Sequence, residues 1–332
     1  MVAPRLRVGL VDTGGIMQAA HIPAWRLLSD EVEVVGLAEP VPERRARALA
    51  LLGDPEGRRV VACPDAAALL DRVALDVVDV AVPAGPAKSE VVRRALAAGC
   101  HVTCQKPFVR ELAEAESLVA AARAAGRLLS VNQQARFASA FATAGRWVRE
   151  GRLGELRTIR LWSDFPNAGP DQWLEYAVHS FDLVRFWAGR EPRRVRAWWK
   201  RQTPDDRYLL AVWLDFEGVL AAEIWDEMGS STTLRWAFRL MGSEGTARGQ
   251  EAFGDAMLPA EVAYTPRGAA YEEVASPGPS YIPHAFAAYF RAFVRAVRGE
   301  GPCPTSGEDN LRTLALAFAA RRAADLGGWV EL

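Results

Sequence analysis

The sequence predicts an α/β protein: a doubly wound parallel sheet, followed by an α+β region built on a large, open, mostly antiparallel sheet. Three observations carry this. Over the first 130 or so residues, short β-rich runs alternate with amphipathic helical stretches, the pattern of βαβ units. Beyond about residue 140 the chain changes to long strands with alternating apolar and polar residues, several joined by short Gly- or Asp-containing turns. Near the start, "GLVDTGGIMQAAH" (9–21) runs an apolar strand into a glycine pair and then a helix, the junction at which doubly wound folds bind phosphate.

The elements follow in order. "RVGLV" (7–11) and "VEVVGLAE" (32–39) are strands separated by a helical "IMQAAHIPAWRLL" (16–28). "PERRARALALLG" (42–53) is a helix with a glycine stop. "DVVDVAVP" (76–83) and "HVTCQKP" (101–107) are strands closed by proline, with the helix "KSEVVRRALAAG" (88–99) between them. "ELAEAESLVAAARAAG" (111–126) and "LLSVNQQ" (128–134) repeat the helix–strand pair. In the second half, the helix "SAFATAGRWVREGRLG" (139–154) leads into strands at 155–165, 193–202, 207–218, 219–228 and 234–245. The helical "WLEYAVHSFDLVRFWAG" (173–189) interrupts them, and helices at 283–299 and 307–327 close the chain. The reading is two domains, 1–130 for nucleotide and 131–332 for substrate and oligomerisation, with the last helices able to pack back on the first domain.

At 332 residues the chain is long enough for two cores, and half of its residues are apolar. A net charge of −1 leaves no global field for nucleic acid or an anionic membrane, and no apolar run is long enough to span a bilayer. The early first strand leaves no room for a signal peptide, so a cytoplasmic protein with reduced thiols is expected. Cys63, Cys100, Cys104 and Cys303 lack metal-ligand spacing. Cys100, His101 and Cys104 fall on a strand whose alternate side chains face opposite ways, so no metal site is expected. Eight of the eleven tryptophans lie between Trp162 and Trp236. Six of these, on predicted strands, suit a sheet with one face under helices and the other in a partner subunit.

The glycine loop departs from its usual pattern. Asp12 stands at the first glycine position, Thr13 follows, Gly14 holds the middle glycine with Gly15 beside it, and Ile16 and Met17 enter the helix. Only the middle glycine is in register. A carboxylate about 5 Å from one phosphate charge, at an effective dielectric near 20, costs roughly 3 kcal/mol, about a hundredfold in affinity. That is an upper figure, because Asp tolerates unusual backbone angles and its side chain can turn away. Met17 asks the helix to sit slightly further from the strand. Glu39 ends the second strand, where a carboxylate accepts from the adenosine ribose and disfavours a 2′-phosphate, so NAD is expected over NADP.

Further motifs follow: "CQKPF" (104–108), "NQQARF" (132–137), "GRLGELRTIRL" (151–161), "EYAVHSFDLVRFWAG" (175–189) and "GEDNLRTLALAFAARRAAD" (307–325). This series resembles the glucose–fructose oxidoreductase, inositol dehydrogenase and rhizopine-catabolism (Gfo/Idh/MocA) family, in order and over nearly the whole chain. The resemblance implies a Rossmann domain joined to a domain with an open sheet, NAD(P)-dependent oxidation of sugars, cyclitols or related polyols, and dimers or tetramers formed through that sheet. It places the family's glutamate-lysine-proline motif on Gln105, Lys106 and Pro107, with Lys106 the catalytic lysine near the nicotinamide. Gln105 keeps the hydrogen-bonding shape of the usual glutamate without its charge, so altered tuning of cofactor or lysine is expected. The family's catalytic histidine falls on His179, with Glu175 and Asp182 on the same helical face. His179 is the expected general base. Glu175 contacts either substrate or the histidine, and Asp182 either orients the imidazole or locks the helix to the first domain. Asn132 and Arg136 match a cleft-lining region and are expected to contact substrate, and His21 reads as structural. The departures at Asp12, Met17 and Gln105 leave open a nucleotide- or sugar-binding protein with little turnover, and the resemblance leaves open redox-neutral chemistry on a retained NAD, as in some members of the family.

Overall fold

The parallel half builds as its alternating pattern requires. The computed structural model describes residues 4–165, 172–201, 207–229, 235–252, 260–275 and 278–332. Gln202 and Leu234, the ends of two predicted strands, lie outside them. Six strands, β1 (Leu6–Val11), β2 (Val32–Ala38), β3 (Val61–Cys63), β4 (Val77–Val80), β5 (His101–Gln105) and β6 (Leu129–Asn132), pair in the order β3-β2-β1-β4-β5-β6. Every pairing is parallel. The order reverses between β1 and β4, the switch point outside whose carboxyl ends doubly wound sheets take their ligands. β4 and β6 are buried at every residue, as strands covered on both faces must be. β3 escaped the sequence reading because three residues show no alternation.

The crossover helices are α1 (Ile22–Arg26), α2 (Pro42–Leu51), α3 (Ala66–Arg72), α4 (Pro86–Ala97) and α5 (Leu112–Ala125). α5 stops where predicted, on Gly126 with φ +61°. The first helix differs from the expected continuous run. Its opening turn, Met17–His21, is π-helical, and it houses the fully buried side chain of Met17, where a glycine would let helix and strand approach.

The chain divides into two compact units, Met1–Gln134 with Ile282–Leu311 and Ala135–Tyr281 with Arg312–Leu332. In the first, α8 (Tyr281–Val297) lays Phe290 in a stack on Trp25, with centroids 4.0 Å apart, and Tyr289 bonds Thr103 and Ser130 through its hydroxyl.

The second unit holds α6 (Ser139–Arg149), α7 (Trp173–Ala188), most of α9 (Gly307–Leu326) and a nine-stranded sheet. The strands are β7 (Leu156–Phe165), β8 (Arg194–Arg201), β9 (Tyr208–Asp215), β10 (Ala221–Met228), β11 (Arg235–Gly242), β12 (Gly245–Ala252), β13 (Glu261–Pro266), β14 (Glu273–Ala275) and β15 (Trp329–Glu331). Their order is β14-β13-β12-β11-β7-β10-β9-β8-β15, and among the described residues only the β7–β10 pairing is parallel. β12 to β15 were not foreseen. β12 reads "GTARGQEA", with Thr246 its only β-branched residue. At Gly249 an added Cβ would come within 2.4 Å of the Glu261 carbonyl and 2.7 Å of the Phe238 ring.

One face of this sheet is apolar and buried: Ile159, Leu161 and Phe165 on β7, Ala222, Ile224 and Met228 on β10. The other carries Trp162 (40% exposed), Trp198 (46%), a Trp213–Trp225 pair and the Arg160–Glu223 ion pair. A concavity of about 710 Å³ on this face is lined by Trp198, Trp213, Trp329, Arg194 and Glu223.

Candidate active site

The loop after β1 solves its missing glycine with an aspartate. Asp12 takes φ +65°, the left-handed region that glycine would normally supply, and its Oδ1 accepts from the Gly14 amide at 3.1 Å. Burial, then the charge of Glu39, push the Asp12 carboxyl above its ordinary range. Gly15 is exposed, and an added Cβ there would meet nothing within 4 Å. An open glycine ahead of a helix start is the backbone shape a pyrophosphate needs, so the loop fits a dinucleotide.

Glu39 sits differently from its expected role at a ribose. It is 1% exposed, and its Oε2 accepts from Thr13 N at 2.8 Å and Thr13 Oγ1 at 3.1 Å, while Oε1 accepts from Val41 N at 2.9 Å. Its first task is to hold the loop, and Thr13 is buried against it.

The turn after β5 presents one residue. From Val102 to Val109 every residue is buried except Lys106, which is half-buried. Gln105 and Pro107, expected beside the cofactor, have polar groups that bond within the protein. Gln105 Oε1 accepts from Lys106 N at 2.8 Å, and Gln105 Nε2 lies 3.3 Å from His21 Nε2. The carbonyls of Gln105 and Pro107 accept from Lys88 Nζ at 2.5 and 2.8 Å. Asn132 pairs with Gln105 in the β5–β6 register. Its carboxamide is fully buried and, among the described residues, neither of its polar atoms has a hydrogen-bond partner, as is true of Gln133 beside it. A buried unsatisfied amide costs about 1–3 kcal/mol, so such groups mark where water or ligand is received.

In the second unit, α7 carries the other predicted groups. His179 is 3% exposed and meets the Trp236 ring edge-on at 5.9 Å, and Trp236 in turn stacks on Tyr281. Glu175 is half-buried one turn earlier, and its charge adds to burial in raising the Tyr176 hydroxyl's pKa. Asp182 is bound bidentately by Arg136, Nε to Oδ2 and Nη2 to Oδ1, both at 2.6 Å, and accepts from Thr313 Oγ1 at 3.1 Å. Of the two roles open to Asp182, this geometry is that of a lock, though the partner Arg136 belongs to the same compact unit rather than to the first. Arg136, expected at substrate, is engaged here and also lies over the Phe186 ring at 5.6 Å.

Sequence reasoning missed Asp226 on β10. Its Oδ1 accepts from Ser180, the neighbour of His179, at 2.8 Å, and from Ser163, and burial pushes its carboxyl up to about 7. It also missed Lys88, whose ammonium is buried against the carbonyls of Gln105 and Pro107. Cys100, His101 and Cys104 each serve locally: Cys100 bonds the Leu75 carbonyl, His101 Nδ1 accepts from Leu128 N, and Cys104 is buried. No group of three His, Cys, Asp or Glu that could hold a metal is found among the described residues.

A doubly wound sheet with a glycine-bearing loop at its first turn, and a lysine presented after β5, are features that a nicotinamide-dependent oxidoreductase requires. Comparison with known proteins gives the family. Residues 6–133 match the oxidoreductase family with an NAD-binding Rossmann fold, Gfo/Idh/MocA, and residues 141–248 match the Gfo/Idh/MocA C-terminal domain. The chain belongs to the Gfo/Idh/MocA oxidoreductase family. It is 28% identical to D-apiose dehydrogenase of Paraburkholderia graminis over 343 residues, covering 96% of this chain and 88% of that one. It is 30% identical to inositol 2-dehydrogenase of an Arthrobacter species over 197 residues, 58% of this chain and 56% of that one. In fold it is similar to the aldose–aldose oxidoreductase of Caulobacter crescentus complexed with glycerol, with a TM-score of 0.84 at 22% identity over 99% of this chain and all of that one.

Proposed function

We propose that this oxidoreductase is an NAD-dependent dehydrogenase of a sugar, cyclitol or related polyol, with Lys106 and His179 its catalytic residues. The observation that carries the reading is the Lys106 turn, which buries its neighbours and leaves one ammonium-bearing residue presented at the carboxyl end of β5. The relatives are consistent with a polyhydroxylated substrate, being dehydrogenases of apiose and inositol.

The loop from Asp12 through Thr13, Gly14 and Gly15 to Ile16 would hold the dinucleotide, with Glu39 bracing it. Two carboxylates at this corner, Asp12 and Glu39, favour NAD over the extra charge of NADP. When bound, NAD supplies the two-electron acceptor for a CH–OH carbon. A ring nitrogen of His179 takes the hydroxyl proton. The Lys106 ammonium donates to the substrate oxygen as its charge develops. Glu175, on the same face as His179, contacts substrate or tunes the imidazole, and the Asp182–Arg136 pair fixes the helix that carries both. The buried Asn132 carboxamide offers donor and acceptor to a substrate hydroxyl.

The test is an NAD-reduction screen over polyols, aldoses and cyclitols, with Lys106→Ala as the blank. Turnover of at least one class by the parent, absent from the blank, is expected. No turnover with any of them contradicts the reading, and purified protein carrying NAD that does not exchange would favour redox-neutral chemistry instead.

The chain acts in the cytoplasm, without nucleic acid, as a homodimer or homotetramer formed through the tryptophan-bearing face of the nine-stranded sheet. Exposed Trp162, Trp198 and Trp329 support this, since large apolar groups clustered on an open face favour association. Among the described residues no helix is long and apolar enough to cross a membrane. Light scattering checks the assembly: Trp198→Glu is expected to lower the mass toward the monomer with the fold retained, and an unchanged mass argues against this face.

A further inference from the structure

Gln105 reads in the sequence as a weakened glutamate, but its contacts point elsewhere. His21 and Asp79 are wholly buried, and the imidazole packs against the rings of Phe286 and Phe290, with centroids 5.2 and 5.3 Å away. Asp79 Oδ2 receives two donors at 2.8 Å, Trp25 Nε1 and His21 Nδ1. With Nδ1–H donated to the carboxylate, a neutral imidazole keeps its lone pair on Nε2. That lone pair faces Gln105 Nε2, which has protons to give. The carboxamide is thereby oriented, and its other end, Oε1, receives the Lys106 amide.

We infer that Asp79 and His21 are positioning residues that act on Lys106 through Gln105, and that Gln105 is matched to a neutral His21. The inference rests on the reading of Lys106 as the catalytic lysine. A carboxylate at position 105 has no proton to offer, so it would set one acceptor against another. Relief requires one further proton between the two groups; with Asp79 already bonded at Nδ1, that proton is favoured on the imidazole, leaving an imidazolium between Asp79 and the new carboxylate. Lys88, 1% exposed, holds the same turn from its own side through the carbonyls of Gln105 and Pro107. The turn is thus gripped at three backbone atoms, and the Lys106 side chain leaves from a fixed base. A displacement of about 1 Å at such a group lowers turnover by up to about a hundredfold.

The imidazole nitrogens report directly on this. In ¹⁵N-labelled protein with its four histidines assigned, the neutral His21 ring is expected to carry its proton at Nδ1 and to be bare at Nε2. Gln105→Glu is expected to add a proton at Nε2 and to lower kcat about tenfold or more, with the KM for NAD within about twofold. A wild-type His21 protonated at Nε2 would overturn the inference, and so would a Gln105→Glu protein whose His21 stays neutral at unchanged kcat. If Gln105→Glu does not fold, the wild-type spectrum and the kcat of His21→Gln decide the matter, with unchanged kcat overturning the positioning role. Full activity in Lys106→Ala would refute the catalytic reading while leaving the tautomer result standing, so the two failures are distinguishable.

Discussion

The nucleotide loop and the α7 region both hold carboxylates that are buried or half-buried, and they satisfy them in different ways. In the loop, Asp12 and Glu39 accept chiefly from backbone amides, those of Gly14, Thr13 and Val41. Around α7, Asp182 is neutralised by a guanidinium, while among the described residues Asp226 receives only the hydroxyls of Ser163 and Ser180. Amide donors shape the chain and leave the charge in place. An ion pair cancels the charge and pins two elements together. Neutral hydroxyls do too little against desolvation, so the proton stays on the carboxyl up to near neutrality. The same residue type therefore makes a loop brace, a lock and a titrating group within one protein.

This contrast can be broken by substitution, beginning with the lock. Arg136→Leu leaves Asp182 charged and fully buried without its guanidinium, and is expected to cost about 3–5 kcal/mol in chemical unfolding. A loss below about 1 kcal/mol would mean that the pair stabilises nothing. Asp226 comes next. Its carboxyl rises from 3.8 to about 7 in the fold, so the folded state binds its proton more tightly than the unfolded chain. Stability tied to that proton is complete below about pH 4 and is lost as pH rises through about 7. Asp226→Asn, which keeps a hydrogen-bonding side chain without the titration, is expected to gain on the parent as pH increases, by at most about 4 kcal/mol above pH 7. Melting curves at pH 5 and pH 8 measure this; an equal difference at both would remove Asp226 as a titrating group.

The loop gives the smallest effect. Asp12 already holds a backbone conformation that glycine adopts freely, so Asp12→Gly removes charge without strain. NADH fluorescence titration is expected to show tighter binding, by at most about a hundredfold. Because burial and Glu39 raise the Asp12 carboxyl, acidification should protonate it and tighten NADH binding in the parent. That pH dependence should disappear in Asp12→Gly. Unchanged affinity would show that the carboxylate is turned away from the phosphates.

The parallel half was legible because fully buried strands are continuous apolar runs set between helices with clear stops. β3 was too short to show a pattern, and β12 fills its place with Gly, Ala and Thr, so neither announced itself. The second sheet's central strands, β7 to β11, showed their one-sided burial as alternation. At the candidate site, the motif pointed to Lys106, and helical spacing set Glu175, His179 and Asp182 on one face of the segment that forms α7. Spacing along one helix does not show what lies opposite, however. The partner of Asp182 comes from 46 residues upstream, and that of Gln105 from 84. Glu39 stood where the motif wants a ribose-binding carboxylate, and only the fold reveals that Thr13 and Val41 already hold it. Lys88 carried no signal at all, since a lysine on an amphipathic helix is ordinarily solvated.

The central claim is that Lys106 and His179 carry the chemistry while the loop carries the cofactor. Its most direct test compares kcat/KM and NADH affinity in the parent, Lys106→Met and His179→Asn, using the best substrate of the polyol panel. Each substitution is expected to lower kcat/KM by at least about a hundredfold, with the NADH dissociation constant within a few-fold of the parent. Turnover retained within tenfold in either variant, with cofactor binding intact, would contradict the assignment.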